Sequence, residues 1–222
     1  MNTIPTTFKR LRTPYTVVGG QKIDKKIRQP SLLSIVLLNR GGRLYRNEVF
    51  EELEKMGDIE IFSIEGPGVT CDVEVLSRRF PNVKFLMLHQ NASRGEQVNI
   101  GIEEAHGKCV FVLWDDMRIS TASLSSRLID KIYRQDVLCS VPLLQNQKGE
   151  TLPCIQVPAF YKRFLRVVPL PPKNDGMNTL FPFDFAGIYN KEKFFLTGGY
   201  DYNFKNPYWQ KMDFGFRGHM WG

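Results

Sequence analysis

The stretch from Val83 to Ile119 constrains this chain more than any other part of it. Val83–Leu88 is an apolar run of strand length, and His89-Gln90-Asn91-Ala92-Ser93 is a polar turn. Arg94–Ala105 then places apolar residues at a helical period, and Cys109–Leu113 is a second apolar run. Strand, turn, helix and strand in that order predict a parallel pair joined by a right-handed crossover. The second strand delivers Asp115 and Asp116 just past its C-terminal end. Open α/β sheets bind ligands at that edge, because loops there approach the ligand while the strands hold them rigid. Two adjacent carboxylates leaving a buried strand suit a divalent cation and a phosphate-bearing ligand. Their competing use is to cap the following helix.

The alternation continues upstream. Leu32–Leu38 and Ile59–Ile64 predict two more strands, with helices expected near 43–56 and 72–80. The expected fold is therefore α/β, a single domain with a mixed, mostly parallel sheet flanked by helices. Beyond Asp116 a helix is expected over 124–133 and a strand over 137–141. Prolines crowd residues 142–182, which read as a long irregular excursion with one polar hairpin turn at Gln145–Glu150. Strand composition returns over Phe181–Tyr189, followed by a short helical turn at Lys191–Leu196.

A chain of 222 residues suffices for one well-buried domain. No apolar run approaches the ~20 residues of a membrane span, and the N-terminus lacks the apolar core of a secretory signal. The expected location is the cytoplasm, with contact to a membrane at most peripheral. The four cysteines sit far apart with no Cys-x-x-Cys pair, which argues against a zinc site or disulfide framework. Net charge is +7, and residues 1–30 hold seven basic residues against Asp24 alone, so that segment carries nearly all of it. Residues 1–30 thus read as a basic arm that can touch an anionic membrane surface, or simply as a solvated tail. Its aromatics are too scattered for a nucleic-acid stacking platform, so nucleic acid is disfavoured as a partner. Residues 31–222 read as the domain.

The spacing Asn91, Gly95, Asn99, Gly101, Ala105, Gly107, then an apolar strand and Asp116, resembles the family 2 glycosyltransferases. That resemblance implies a glycosyltransferase A-type fold over residues 31–222, with 31–120 as a nucleotide-binding half and 121–222 as an acceptor half, and a nucleotide-diphosphate-sugar donor. It implies that Asn39 and Glu65 lie beside the nucleotide, Glu65 by accepting a hydrogen bond from the base or ribose. A solvated turn is the competing use of Glu65. Arg94, Asn99 and Asp115 are implied to lie along the same ligand, and Asp116 to hold a divalent cation, Mn²⁺ or Mg²⁺, that bridges the phosphates. Trp114 falls where the family has a first, more variable acid.

Gly198-Gly199-Tyr200-Asp201 and Trp209–Arg217 resemble the acceptor-side signature of the same family. Gln210 and Lys211 stand there in place of two acids, one of which would be the general base, and only Asp213 and Arg217 match. Asp213 is the expected catalytic base, with Asp201 as the weaker candidate. The resemblance thus implies an inverting, metal-assisted transfer of a sugar to an acceptor hydroxyl on a glycan, lipid or protein. The alternative is a non-catalytic nucleotide- or sugar-binding module of the same fold, which Gln210 and Lys211 favour. A sugar nucleotidyltransferase is a third reading, supported only by a faint phosphate-loop likeness at Asn39–Arg43.

Overall fold

A computed structural model describes residues 13–20, 32–40, 43–57, 59–68, 73–119 and 124–221. Its centre is four parallel strands, β2 (Leu33–Leu38), β3 (Glu60–Glu65), β4 (Val83–Leu88) and β5 (Cys109–Trp114). Three further strands complete the sheet: β1 (Tyr15–Gly19), β6 (Cys139–Ser140) and β9 (Gly187–Asn190). The order is β1-β4-β3-β2-β5-β9-β6, with β1 antiparallel to β4, and β9 antiparallel to both β5 and β6. Every residue of β2, β3 and β5 is buried, as expected of parallel strands covered on both faces.

Alternate residues of those strands feed two cores. On one face Val36, Leu38, Phe62 and Val112 pack with Val98 and Ile102 of α3 (Arg94–Glu104) and with Phe214 of α6 (Pro207–Trp221). On the other face Ile35, Leu37, Phe85 and Leu113 pack with Val49, Phe50 and Leu53 of α1 (Arg43–Glu54) and Ile129 of α4 (Ser126–Arg134). Each fully buried Leu, Ile or Phe side chain here contributes about 1.5–3 kcal/mol. The smaller helices are α2 (Val73–Arg79) and α5 (Lys191–Leu196).

The glycines of the sequence motif act in packing. A Cβ on Gly101 would lie 2.5 Å from Val36 Cγ1, and one on Gly95 would lie 2.4 Å from Gln210 Cδ. They let α3 sit close on β2 and on α6.

Three regions differ from expectation. The segment read as a basic arm contributes β1, an edge strand, while residues 1–12 and 21–30 lie outside the described residues. The proline-rich excursion contains a separate two-stranded ribbon, β7 (Ile155–Tyr161) and β8 (Phe164–Leu170). Pro158 and Pro169 are tolerated because each strand of a lone pair has one edge with no ladder to serve. The strand expected over Phe181–Tyr189 begins only at Gly187, after a 3₁₀ turn at Phe183–Phe185.

Candidate functional site

Register places three chain exits side by side. Leu38 pairs with Ile64 and with Trp114, so Asn39-Arg40, Glu65-Gly66 and Asp115-Asp116 leave the same edge of the sheet. The Asp115 amide donates to Leu38 O at 2.9 Å, extending the ladder, and the Arg40 amide donates to Asp115 Oδ1 at 3.0 Å. Asp115 is therefore buried, and its Oδ2 has no hydrogen-bond partner among the described residues. Burial raises its carboxyl above the ordinary Asp value; the Arg40 amide opposes this and the Asp116 charge adds to it.

Asp116, half exposed, turns outward to meet Arg40, whose Nε lies 3.4 Å from Asp116 Oδ2. The same guanidinium pairs with Asp184 and stacks 4.3 Å from the centroid of the Trp114 ring. Arg94 also lies over that indole, at 5.1 Å, and donates to Asn39 O at 3.3 Å and to Gln97 Oε1 at 3.0 Å. The indole Nε1 donates to Asp184 O at 2.8 Å, holding the 3₁₀ turn against the strand end. Asp184 and Phe185 have φ of 49° and 64°, a left-handed conformation that non-glycine residues adopt at a cost of about 1–2 kcal/mol each. Lys211 of α6 completes the group: its Nζ lies 5.4 Å from the Phe185 centroid, burial lowers its pKa, and Asp184 opposes that shift.

Glu65 is not a solvated turn residue. It is fully buried, with Arg46 Nη1 at 2.6 Å from Oε2 and 2.7 Å from Oε1. Ser63 Oγ donates to it at 2.8 Å and Asn39 Nδ2 at 3.1 Å. The carboxylate thus orients Asn39 from behind.

The residues around the Gly198-Gly199 turn behave differently, and Asn99, which the resemblance implies lies along the nucleotide, is among them. Asn99 Nδ2 donates to Tyr200 O at 2.7 Å and its Oδ1 accepts from Tyr200 N at 2.9 Å, a two-point tie to the backbone after Gly198-Gly199. Gln210 is fully buried: Oε1 accepts from Gly95 N at 2.9 Å, while Nε2 donates to Ser93 Oγ and to Asp201 O, both at 3.0 Å. It uses a donor and an acceptor at once, which a carboxylate cannot do. Asp213 accepts from Arg217 Nε at 3.0 Å and Nη2 at 2.5 Å, and Arg217 reaches on to Thr197 O and Gly199 O. Two residues along a helix are about 200° apart around its axis. With Lys211 turned to Asp184, Asp213 is turned away from it.

The structure therefore brings Asn39, Arg94, Asp115 and Asp116 to one edge, with Glu65 behind them. Asn99 and Asp213 serve the Gly198–Tyr200 turn. Arg40 and Asp184 were not singled out from sequence as site residues, and Lys211 only as a replaced acid. Asp184 carries no local signal, since the Phe-Pro-Phe-Asp-Phe stretch around it reads as strand. Arg40 reads as a turn residue until β5 is placed beside β2.

The donor set has hard carboxylate oxygens, as Mg²⁺ or Mn²⁺ requires. Yet Asp116 and Asp184 are already bridged by a guanidinium, and among the described residues no group of three or more His, Cys, Asp or Glu stands ready to hold a metal ion. As arranged, these acids fit the cation supplied by Arg40 rather than a dication.

No protein-family model and no curated protein matches this sequence. Solved structures do share its fold. TarS residues 1–349 from S. aureus, in a structure with UDP-GlcNAc, superposes with a TM-score of 0.59 at 16% identity, over 85% of this chain and 53% of that 1–349 chain. A second structure of TarS 1–349 also gives a TM-score of 0.59, with 55% of that chain covered. A mannosyltransferase from Pyrobaculum calidifontis, in complex with GDP-Man and Mn²⁺, gives 0.52 at 9% identity, over 87% of this chain and 52% of its own. This chain thus spans about half the length of these neighbours. The fold is that of the glycosyltransferases, a mixed and mostly parallel sheet of the A type.

Proposed function

We propose that this chain binds a nucleoside-diphosphate sugar at the C-terminal edge of its sheet and transfers the sugar to an acceptor hydroxyl. The observation that carries this reading is the pair of guanidinium groups, Arg40 and Arg94, set over Trp114 at that edge. Guanidinium matches phosphate oxygens in geometry and keeps its charge at any working pH. Asn39, oriented by Glu65, contacts the nucleoside, and Asp115 shapes the loop that carries Arg40.

In the transfer, the acceptor oxygen attacks the anomeric carbon and a new glycosidic bond forms. The bond from that carbon to the phosphate oxygen breaks, and the nucleoside diphosphate leaves with the electron pair. Attack opposite the leaving group inverts the anomeric centre. Arg40, Arg94 and Lys211 stabilise the charge that develops on the departing diphosphate. The hydroxyl proton passes to Asp184, the acid that shares the cluster with Arg40 and Lys211. Asp213 positions Arg217 and the glycine turn.

Two observations favour competing readings. Asp115 Oδ2, buried and without a partner among the described residues, is a place for a divalent cation, which would have to displace Arg40 from Asp116. Gln210 and Lys211, in place of two acids, favour a donor binder without turnover. The test is transfer and donor hydrolysis measured beside donor affinity in Asp184→Asn and Asp213→Asn. General-base loss costs about 10²–10⁴-fold, so Asp184→Asn should lose that much rate with donor affinity largely kept. Asp213→Asn should lower stability and leave the rate of the folded protein near wild type. The opposite pattern exchanges the two roles. Nucleotide binding with no turnover in the wild type leaves the binding module.

A further inference from the structure

The β7–β8 ribbon forms a sheet of its own, anchored at its base and by Val167 of β8, which packs against Leu180, Phe181 and Met212. Ile155 and Gln156 are buried at the base, the Gln156 amide donating to Thr179 Oγ1 at 2.9 Å and Gln156 O accepting from the Leu180 amide at 2.8 Å. Toward the tip, from Phe160 to Leu165, the apolar side chains are open to solvent. Phe160 is 80% exposed and Phe164 72%, and Tyr161, Leu165, Val168 and Leu170 are exposed with them. Pairing puts Phe160 opposite Leu165 and Tyr161 opposite Phe164. Neighbouring pairs point to opposite faces, so the distal ribbon is apolar on both sides. A two-stranded ribbon gains little stability from such exposure, and burial elsewhere must favour these residues.

Charge supplies the second observation. From Thr151 to Asn174 there is no Asp or Glu, while Lys162, Arg163, Arg166 and Lys173 lie in that span. Lys162 and Arg163 form the tip with φ of 46° and 69°, the left-handed pair of a tight hairpin turn. Such turns favour Asn and Gly. The tip holds two long cations against that preference. Arg166 and Lys162 flank Tyr161, with the guanidinium carbon 4.8 Å and Nζ 5.3 Å from its ring centroid. Aromatic residues at the tip with cations around them match a bilayer interface, where rings enter the headgroup boundary and Lys or Arg meet anionic lipid.

We infer that this ribbon docks the protein on an anionic lipid bilayer, with Phe160, Tyr161 and Phe164 entering the interface and Lys162, Arg163 and Arg166 against the headgroups. Among the described residues no helix is long and apolar enough to cross a membrane, so the contact is made from one side. The ribbon is a different element from the N-terminal basic segment. Its aromatics, mixed with aliphatic Leu165, Val168 and Leu170 on both faces, suit a hydrocarbon boundary rather than stacked nucleobases. Docking here would set the donor edge at a fixed height above lipid.

The test is co-sedimentation of the full chain with phosphatidylcholine vesicles, with and without phosphatidylserine. Binding should require phosphatidylserine and weaken at high salt. Phe160→Ser with Phe164→Ser should lower vesicle affinity at least about tenfold. Lys162→Glu with Arg163→Glu should lower it further, each lost cation being worth about fivefold. Nucleotide affinity and melting temperature should not change in either variant. Equal binding to neutral vesicles, or wild-type binding by both variants, would overturn the inference. So would a wild-type dimer that the Phe variant dissociates, which would make the ribbon a contact between copies. Vesicle binding abolished by single-stranded RNA but indifferent to the Phe variant would likewise assign the cations to nucleic acid.

Discussion

At the C-terminal edge of the sheet, Arg40, Asp116 and Asp184 meet within reach of solvent, and Trp114 offers a ring face to two guanidinium groups. On α6, Gln210 and Arg217 are buried, and Arg217 holds Asp213 between that helix and the glycine turn. The two regions use similar residue types. On the edge they stand at strand ends, where the backbone has no more ladder to make and side chains reach the ligand. On the helix they replace missing backbone partners across a close packing of α3 on α6. Polar residues around a glycine motif can therefore be structural even where a family likeness makes them catalytic.

The largest expected effect breaks the support behind the edge. Glu65→Ala leaves Arg46 buried without its carboxylate, and removing one partner of a buried pair costs about 3–5 kcal/mol. Chemical denaturation should show that loss, together with weaker nucleotide binding because Asn39 is no longer oriented. If stability barely changes, Glu65 is better solvated than its burial indicates and is free to contact the ligand directly.

Next is Gln210→Glu, the change that would restore the acid expected there. A carboxylate at Gln210 would face Asp201 O where an amide now donates, and a buried group left without its partner costs about 1–3 kcal/mol, more when charged. The variant should melt earlier and gain no transfer rate. Faster transfer with unchanged melting would mean that α6 contributes to chemistry after all, and the contrast between the regions would fail.

The smallest effect is a pH signature. Burial raises the Asp115 pKa in the folded state above its unfolded value near 3.8. The folded protein therefore holds this proton more tightly, and the stability linked to it is complete below the unfolded value. It is lost as pH rises through the folded pKa. Asp115→Asn removes that dependence, so its stability relative to wild type should improve from acid toward neutral pH. A difference that stays constant over that range would show that Asp115 is not desolvated as placed.

The central strands were legible because fully buried parallel strands are continuous apolar runs, and Asp115 and Asp116 because they follow one directly. β1 was hidden because Tyr15–Gly19 sits among basic residues and earns its place only by pairing with β4. The β7–β8 ribbon was read as irregular because Pro158 and Pro169 break the pattern and its apolar residues face solvent, giving no inside to alternate against. Of the site, Arg94 lay in the motif helix. Arg40 and Asp184 are 144 positions apart and meet only through the register of β2 with β5 and β5 with β9. That Gln210 is buried and that Asp213 accepts from Arg217 could not be read from sequence, because residue type reports neither burial nor partners.

The most direct test of a donor site built on Arg40 is calorimetric titration with uridine and guanosine diphosphates, in chelator and in Mn²⁺. Wild type should bind one of them with similar affinity in both conditions. Arg40→Ala should lose at least about tenfold, the order of one charge-assisted contact. Binding that appears only with Mn²⁺ and is indifferent to Arg40→Ala would contradict the account and return the site to a metal held by Asp116.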